Sequence, residues 1–227
     1  MRPLEPPAAT VHHERGRWLE LALLFGLGPL ALSFAPRLLV LPAMLAGCAA
    51  CLALLLSDPS FDRTRLWDAP AARRGLRRVL ARTAVVWAGL LLLALIFRGR
   101  AALFHLPRAR PAVWLGVVLL YPVFSVYPQE VMYRTFFFHR YARLFRRPST
   151  RIAANAVLFG WAHITVHNVT AVLLATAGGL LFASTYERAR STLLVAAEHA
   201  LYGDFLFSVG LGGMFVTGVR VVSAILG

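Results

Sequence analysis

Glu130 and Arg134 stand one helical turn apart in the stretch from Tyr127 to Arg134, a spacing that puts a carboxylate and a guanidinium on one helix face, where they can pair. Pro122 and Pro128 can kink that helix and free backbone carbonyls for water or substrate. Phe159 and His163 repeat the one-turn spacing, and Gly160 between them permits close helix approach. In a third block His199 and Tyr202 share a face at i, i+3. Asp204 is five residues on from His199, about 140° round the helix, so the two need not touch. Glu198 points away from His199 and suits an interhelical hydrogen bond. Taken singly, a Glu–Arg pair locks helices together, and a histidine on an apolar helix is most often a hydrogen-bonded interior residue. Together, a carboxylate and two imidazoles are groups that can take up and release protons.

The elements that must position them are apolar blocks. Of the 227 residues 59% are hydrophobic and 15% charged, against about 25% charged in a soluble domain. Eight segments approach the length needed to cross a bilayer: Trp18–Phe34, Leu38–Leu56, Val79–Phe97, Ala112–Tyr127 with a continuation, Ile152–Thr165, Val169–Tyr186, Thr192–Val209 and Gly212–Leu226. They show no period-2 alternation, so helices rather than a barrel satisfy the backbone. The fold class expected is an all-α, polytopic transmembrane helix bundle of about eight spans. Residues 1–17 read as a mobile basic tail, 18–111 as N-terminal transmembrane helices and 112–227 as the helical core that carries the chemistry. The apolar run after Arg17 is long and lacks an A-x-A site, so it reads as a retained span rather than a cleaved signal.

The formal net charge is +14, and every basic residue of the Lys+Arg total is arginine. These arginines sit between the apolar blocks, where they orient a membrane protein, so the charge reads as topology and not as a nucleic-acid partner. With the N-terminus cytoplasmic, Arg63–Arg78, the Arg140–Arg151 cluster, Arg188 and Arg190 fall inside. The stretch Arg98–Arg110 is the exception and suits an interfacial segment. The arginine- and alanine-rich composition points to the inner (plasma) membrane of a bacterium. Cys48 and Cys51 form a C-x-x-C inside an apolar block and read as inert helix residues. His167 falls at a span end beside Asn168 and reads as interfacial.

A charge at the bilayer centre costs roughly 3 kcal/mol on insertion scales, so Glu130, Arg134, Glu198 and Asp204 need a reason to be there. In the cytoplasmic-N topology Glu130, His163 and His199 lie at depths of about 12–19 Å along their helices. That common height favours a functional site over a lone structural ion pair.

The three blocks resemble the CPBP family, the type II CAAX prenyl endopeptidase and bacteriocin-processing group of multi-span proteins, whose pattern is E-E-x-x-x-R, then F-x-x-x-H, then H-x-x-x-N or H-x-x-x-D. Here the first reads Gln129-Glu130-x-x-x-Arg134 and the second Phe159-x-x-x-His163. The third begins at His199, with Gly203 in the last position and Asp204 one later. Gln129 stands where the family has its first glutamate, and a glutamine orients a water but cannot take its proton. The resemblance implies an intramembrane endopeptidase that hydrolyses a peptide bond without a covalent intermediate. Glu130 would be the base, His163 and His199 would hold the water, and Arg134 would fix Glu130; Gln129, Phe159, Tyr202 and Asp204 would support them. It implies no cofactor; zinc is a second option through Glu and two His, without the H-E-x-x-H spacing. Partners implied are the lipid bilayer and a membrane-associated or lipid-linked peptide or C-terminal sorting signal. Two rivals are a non-enzymatic scaffold or immunity protein of the same fold, which Gln129 favours, and a proton-coupled transporter, for which no inverted repeat is visible.

Overall fold

A computed structural model describes residues 8–215 of the chain as a bundle of helices, with no strand among the described residues. Ala8–Leu21, the wider π-helical turn Ala22–Leu27 and Gly28–Ser33 run on without a break and form α1. Then come α2 (Arg37–Leu56), α3 (Ala69–Arg98) and α4 (Pro111–Arg140). They are followed by α5 (Pro148–Ala162), α6 (Val169–Ala189) and α7 (Thr192–Ser208). Helix thus begins at Ala8, inside the stretch expected as a mobile tail; residues 1–7 of that tail lie outside the described residues.

Among the described residues four helices, α2, α3, α4 and α6, are long and apolar enough to cross a membrane. The all-α transmembrane class holds, while the ruler admits fewer spans than the eight expected. The physical reasons are local. α5 and α7 have only 15 and 17 residues, short of the roughly 20 needed to span. The first half of α1 carries Glu14, Arg15, Arg17 and Glu20. The expected span Gly212–Leu226 lies, beyond residue 215, outside the described residues.

The polarity is inverted relative to a water-soluble protein. Val85 and Leu119 are 73% and 67% exposed, while Glu130, Arg134, Asn155 and Glu198 are fully buried. Apolar side chains facing outward, with paired charges kept inside an otherwise apolar core, are what a lipid solvent selects.

Side-chain caps start α3, α6 and α7. Asp68 accepts from the Ala71 N–H at 2.8 Å to begin α3, Asn168 from Ala171 at 3.1 Å to begin α6, and Ser191 from Leu194 at 3.3 Å to begin α7. Each satisfies a backbone donor that the helix leaves orphaned. Ser191 also donates to the Asp68 carbonyl at 3.0 Å, so α3 and α7 begin at the same end of the bundle. That end is stitched further by Arg140 and Tyr141 on Glu20 and by Arg151 on Glu187.

α5 and α6 pack as an antiparallel pair with glycines at the contact. A Cβ on Gly179 would stand 3.0 Å from Ala156 Cα, and one on Gly160 would run into Thr176. Close backbone approach through small residues is how helices associate where lipid removes the hydrophobic drive. α4 is not uniform: it widens to π-helical turns at Pro122–Val126 and Val131–Phe136, with Tyr127–Glu130 between them.

Candidate active site

Glu130 lies on the short α-helical piece of α4 between the two wide turns, at the centre of the bundle. Such turns leave carbonyls without their usual partner and recur at functional sites. One of these carbonyls, on Tyr133, accepts a hydrogen bond from Asn155 Nδ2 of α5. The local winding of α4 is therefore held by a neighbouring helix, and Glu130 with it.

Two groups meet the Glu130 carboxylate. His199 Nδ1–H of α7 donates to Oε1 at 2.7 Å, and Arg134 Nε stands 3.2 Å from Oε2. Arg134 is buried over the faces of two rings, its guanidinium carbon 4.1 Å from the Phe159 centroid and 5.3 Å from that of Phe182. A cation over aromatic faces recovers part of the hydration it has lost. Phe182 of α6 also stacks on the His199 ring, centroids 4.6 Å apart.

Donation from Nδ1 fixes the His199 tautomer, because the other ring nitrogen must then accept. Tyr121 Oη lies 3.2 Å from His199 Nε2 and donates to it. His163 is arranged in the same sense. Its Nδ1–H donates to the Phe159 carbonyl at 2.8 Å, which leaves Nε2 as the acceptor.

Two cavities meet at this point. The smaller, of about 220 Å³, is lined by His163 and His199 with Tyr121, Phe159, Phe182 and Tyr202. The larger, of about 410 Å³, lies between α1–α2 and α4–α5 and is lined by Gln129, Ser125 and Cys51 among apolar side chains. His163 and Phe215 line both. Glu130 lines neither, so its carboxylate reaches the smaller cavity through His199.

Of the residues expected from the sequence, Glu130, Arg134 and His199 are brought into direct contact, and His163 shares the smaller cavity with His199. Among the described residues no hydrogen bond joins His163 to Glu130. Phe159 packs its ring on His163, centroids 4.9 Å apart, as well as on Arg134. Gln129 faces the other way, donating to Ser125 Oγ at 2.8 Å in the wall of the larger cavity. Tyr202 lines the smaller cavity but spends its hydroxyl on Glu198 at 2.7 Å. Asp204 makes no side-chain hydrogen bond to any of these groups, because five residues on from His199 it faces round the helix.

Sequence reasoning missed three participants. Tyr121, a phenol before a proline in an apolar run, is the one that touches His199. Arg82 of α3 donates to both Glu198 and Thr185, which fixes Glu198 as a structural partner. Asn155 holds the wide turn beside Glu130. An uncompensated arginine inside the apolar part of α3 was the signal available for Arg82. Cys48 and Cys51 are free thiols, and His167 Nε2 donates to the Ser33 carbonyl at 2.9 Å near a helix end.

No three His, Cys, Asp or Glu side chains among the described residues are grouped to hold a metal ion. The Glu130 carboxylate, already shared between His199 and the cationic Arg134, is a poor ligand for a second cation.

Residues 110–203 match the family model described as type II CAAX prenyl endopeptidase Rce1-like. Over this stretch the chain is similar to that family. No curated protein and no solved structure matches the chain. The Rce1-like segment runs from just before α4 to Gly203 in α7, so it contains Tyr121, Gln129, Glu130, Arg134, Phe159, His163, His199 and Tyr202. It agrees with the resemblance carried by the three short motifs. It excludes Asp204 and all of α1–α3, including Arg82.

Proposed function

We propose that the protein is an intramembrane endopeptidase that hydrolyses a peptide bond of a membrane-associated or lipid-linked peptide or C-terminal sorting signal. The observation that carries this reading is the buried Glu130–His199 pair, with the far side of the imidazole turned to a cavity that His163 also lines. An imidazole oriented by a buried carboxylate is a general base of the kind that acts in hydrolytic triads. Glu130 acts through the ring: its carboxylate holds the Nδ1–H and stabilises the imidazolium. Nε2 takes a proton from water, the water oxygen adds to the carbonyl carbon, and the imidazolium returns the proton to the amide nitrogen as the C–N bond breaks. His163, with Nε2 as an acceptor, orients the water. Arg134 holds the second carboxylate oxygen, so Glu130 cannot swing away. This differs from direct proton abstraction by Glu130, because the carboxylate has no face on either cavity.

The chemistry needs no cofactor, and preserved turnover after chelation of zinc would agree with that. The chain acts in the bilayer with its N-terminus on the cytoplasmic side, in the plasma membrane of a bacterium. A second reading, a non-enzymatic scaffold or immunity protein of the same fold, is favoured by Gln129 in the wall of the larger cavity.

The test is cleavage of a panel of membrane-inserted and farnesylated Cys-a-a-X peptides in proteoliposomes by the native chain and by Glu130→Gln at matched amounts. The expected result is turnover by the native chain and a loss of about 10²–10⁴-fold in the variant. Equal turnover by both would make Glu130 structural. No turnover by the native chain would favour the scaffold.

A further inference from the structure

We infer that Tyr121 is a catalytic residue whose hydroxyl donates to the oxyanion of the tetrahedral intermediate; this rests on the hydrolytic reading of the His199 site.

Three observations place the phenol there. Its oxygen is 3.2 Å from His199 Nε2, the nitrogen that must receive the proton. Its side chain lines the same cavity as His163 and His199. Its ring fills the space over Gly203, one turn on from His199, where a Cβ would stand 2.7 Å from the Tyr121 Cζ and closer still to Oη. The phenol takes the place that any larger side chain at position 203 would occupy, and it brings the only hydroxyl that contacts His199 among the described residues.

The chemistry follows from the number of lone pairs. With Nδ1–H on Glu130, His199 has one acceptor site, and in the resting site Tyr121 holds it. When a water takes that site and delivers its proton to Nε2, the nitrogen can accept nothing further. The Tyr121 O–H, a donor in an apolar cavity, must then find another acceptor or stand unsatisfied at a cost. The acceptor that appears at that moment is the carbonyl oxygen as it gains negative charge. The hydroxyl therefore satisfies His199 before the reaction and the oxyanion during it, which is transition-state stabilisation of the oxyanion-hole kind. No proton leaves Tyr121: the water proton passes to Nε2 and on to the amide nitrogen, and on collapse the phenol returns to Nε2.

The experiment uses the full chain in proteoliposomes and whichever panel peptide it cleaves fastest. Tyr121→Phe is expected to lower kcat about 10²-fold with KM changed by less than about twofold and the thermal unfolding midpoint retained. Gly203→Ala, which pushes the phenol off His199 without removing its hydroxyl, is expected to lower kcat in the same sense. Replacing Tyr121 with mono- and difluorotyrosine should change kcat in graded steps with phenol acidity, a response that a merely structural ring would not give. If Tyr121→Phe keeps kcat within about threefold while Glu130→Gln abolishes cleavage, the role of Tyr121 is overturned and the hydrolytic reading stands. If the native chain cleaves no peptide, or Glu130→Gln cleaves as well as native, the hydrolytic reading fails and takes this one with it.

Discussion

Arg134 presents an unusual balance of costs. Its guanidinium is fully buried, faces one carboxylate oxygen at 3.2 Å and otherwise rests on aromatic rings. Removing one partner of a buried pair strands the other, which costs about 3–5 kcal/mol, whereas removing both with apolar substitutes is close to neutral. Arg134→Met should therefore destabilise the fold by roughly that amount, and Glu130→Leu combined with Arg134→Met should recover most of it. Unfolding in mixed micelles measures both, and additive losses would show that the pair is not coupled. The pair itself was legible in the sequence, because i, i+4 spacing fixes neighbours within one helix. His199 was legible as a residue at the right height but not as the partner of Glu130. Tyr121 was not legible at all, since it meets His199 across 78 positions of chain and periodicity assigns a face without naming what packs on it.

Elements show the same division. The helical class and a close helix approach at Gly160 were legible from local composition, whereas the caps at Asp68, Asn168 and Ser191 came from the structure. The wide turns of α4 were not legible, since an i→i+5 turn is stabilised by tertiary partners such as Asn155 rather than by residue type. The shortfall of α5 and α7 against the spanning length was legible in the sequence, since the segments Ile152–Thr165 and Thr192–Val209 already fall short of about 20 residues. The α5–α6 contact gives a direct prediction. Gly160→Val would drive a side chain into Thr176, and overpacking of this sort costs about 1–3 kcal/mol. Since α5 carries Asn155 and ends just before His163 while α6 carries Phe182, turnover should fall along with the unfolding midpoint. Retained stability would mean that the helices separate without cost. Thr176→Gly in the Gly160→Val background should restore part of both.

At the scale of the whole molecule, the loop after α2 is tied to the end of α4 through Asp58. This carboxylate accepts from the Ser60 N–H at 2.9 Å, from the Ser60 hydroxyl at 2.7 Å and from His139 Nε2 at 2.9 Å. Hydrogen bonds from Ser60 and then His139 hold its pKa well below the ordinary carboxylate range. A depressed folded-state pKa adds stability above the unfolded value of about 3.9 and loses it as pH falls further. Asp58→Asn should thus lower the unfolding midpoint at neutral pH, with the gap to native closing under acid; a gap independent of pH would remove the carboxylate from the account. The same end of the bundle bears the exposed Arg73, Arg74, Arg77 and Arg78 at the start of α3, so cysteines placed there should react only with a reagent admitted to the cytoplasm. Labelling from outside would reverse the orientation.

The larger cavity has walls of two origins. One side, with Gln129 and His163, belongs to the Rce1-like stretch, and the other, with Leu24, Met44 and Leu54, belongs to α1 and α2 outside it. Glu130, His163, His199 and Tyr121 all fall within the Rce1-like stretch, and of these only His163 lines the larger cavity. On the hydrolytic reading proposed above, what is admitted and what is done to it would be written in different stretches of the chain and could diverge at different rates. A lineage could change its clientele by altering a few apolar residues in the first sixty positions and leave the proton chemistry untouched.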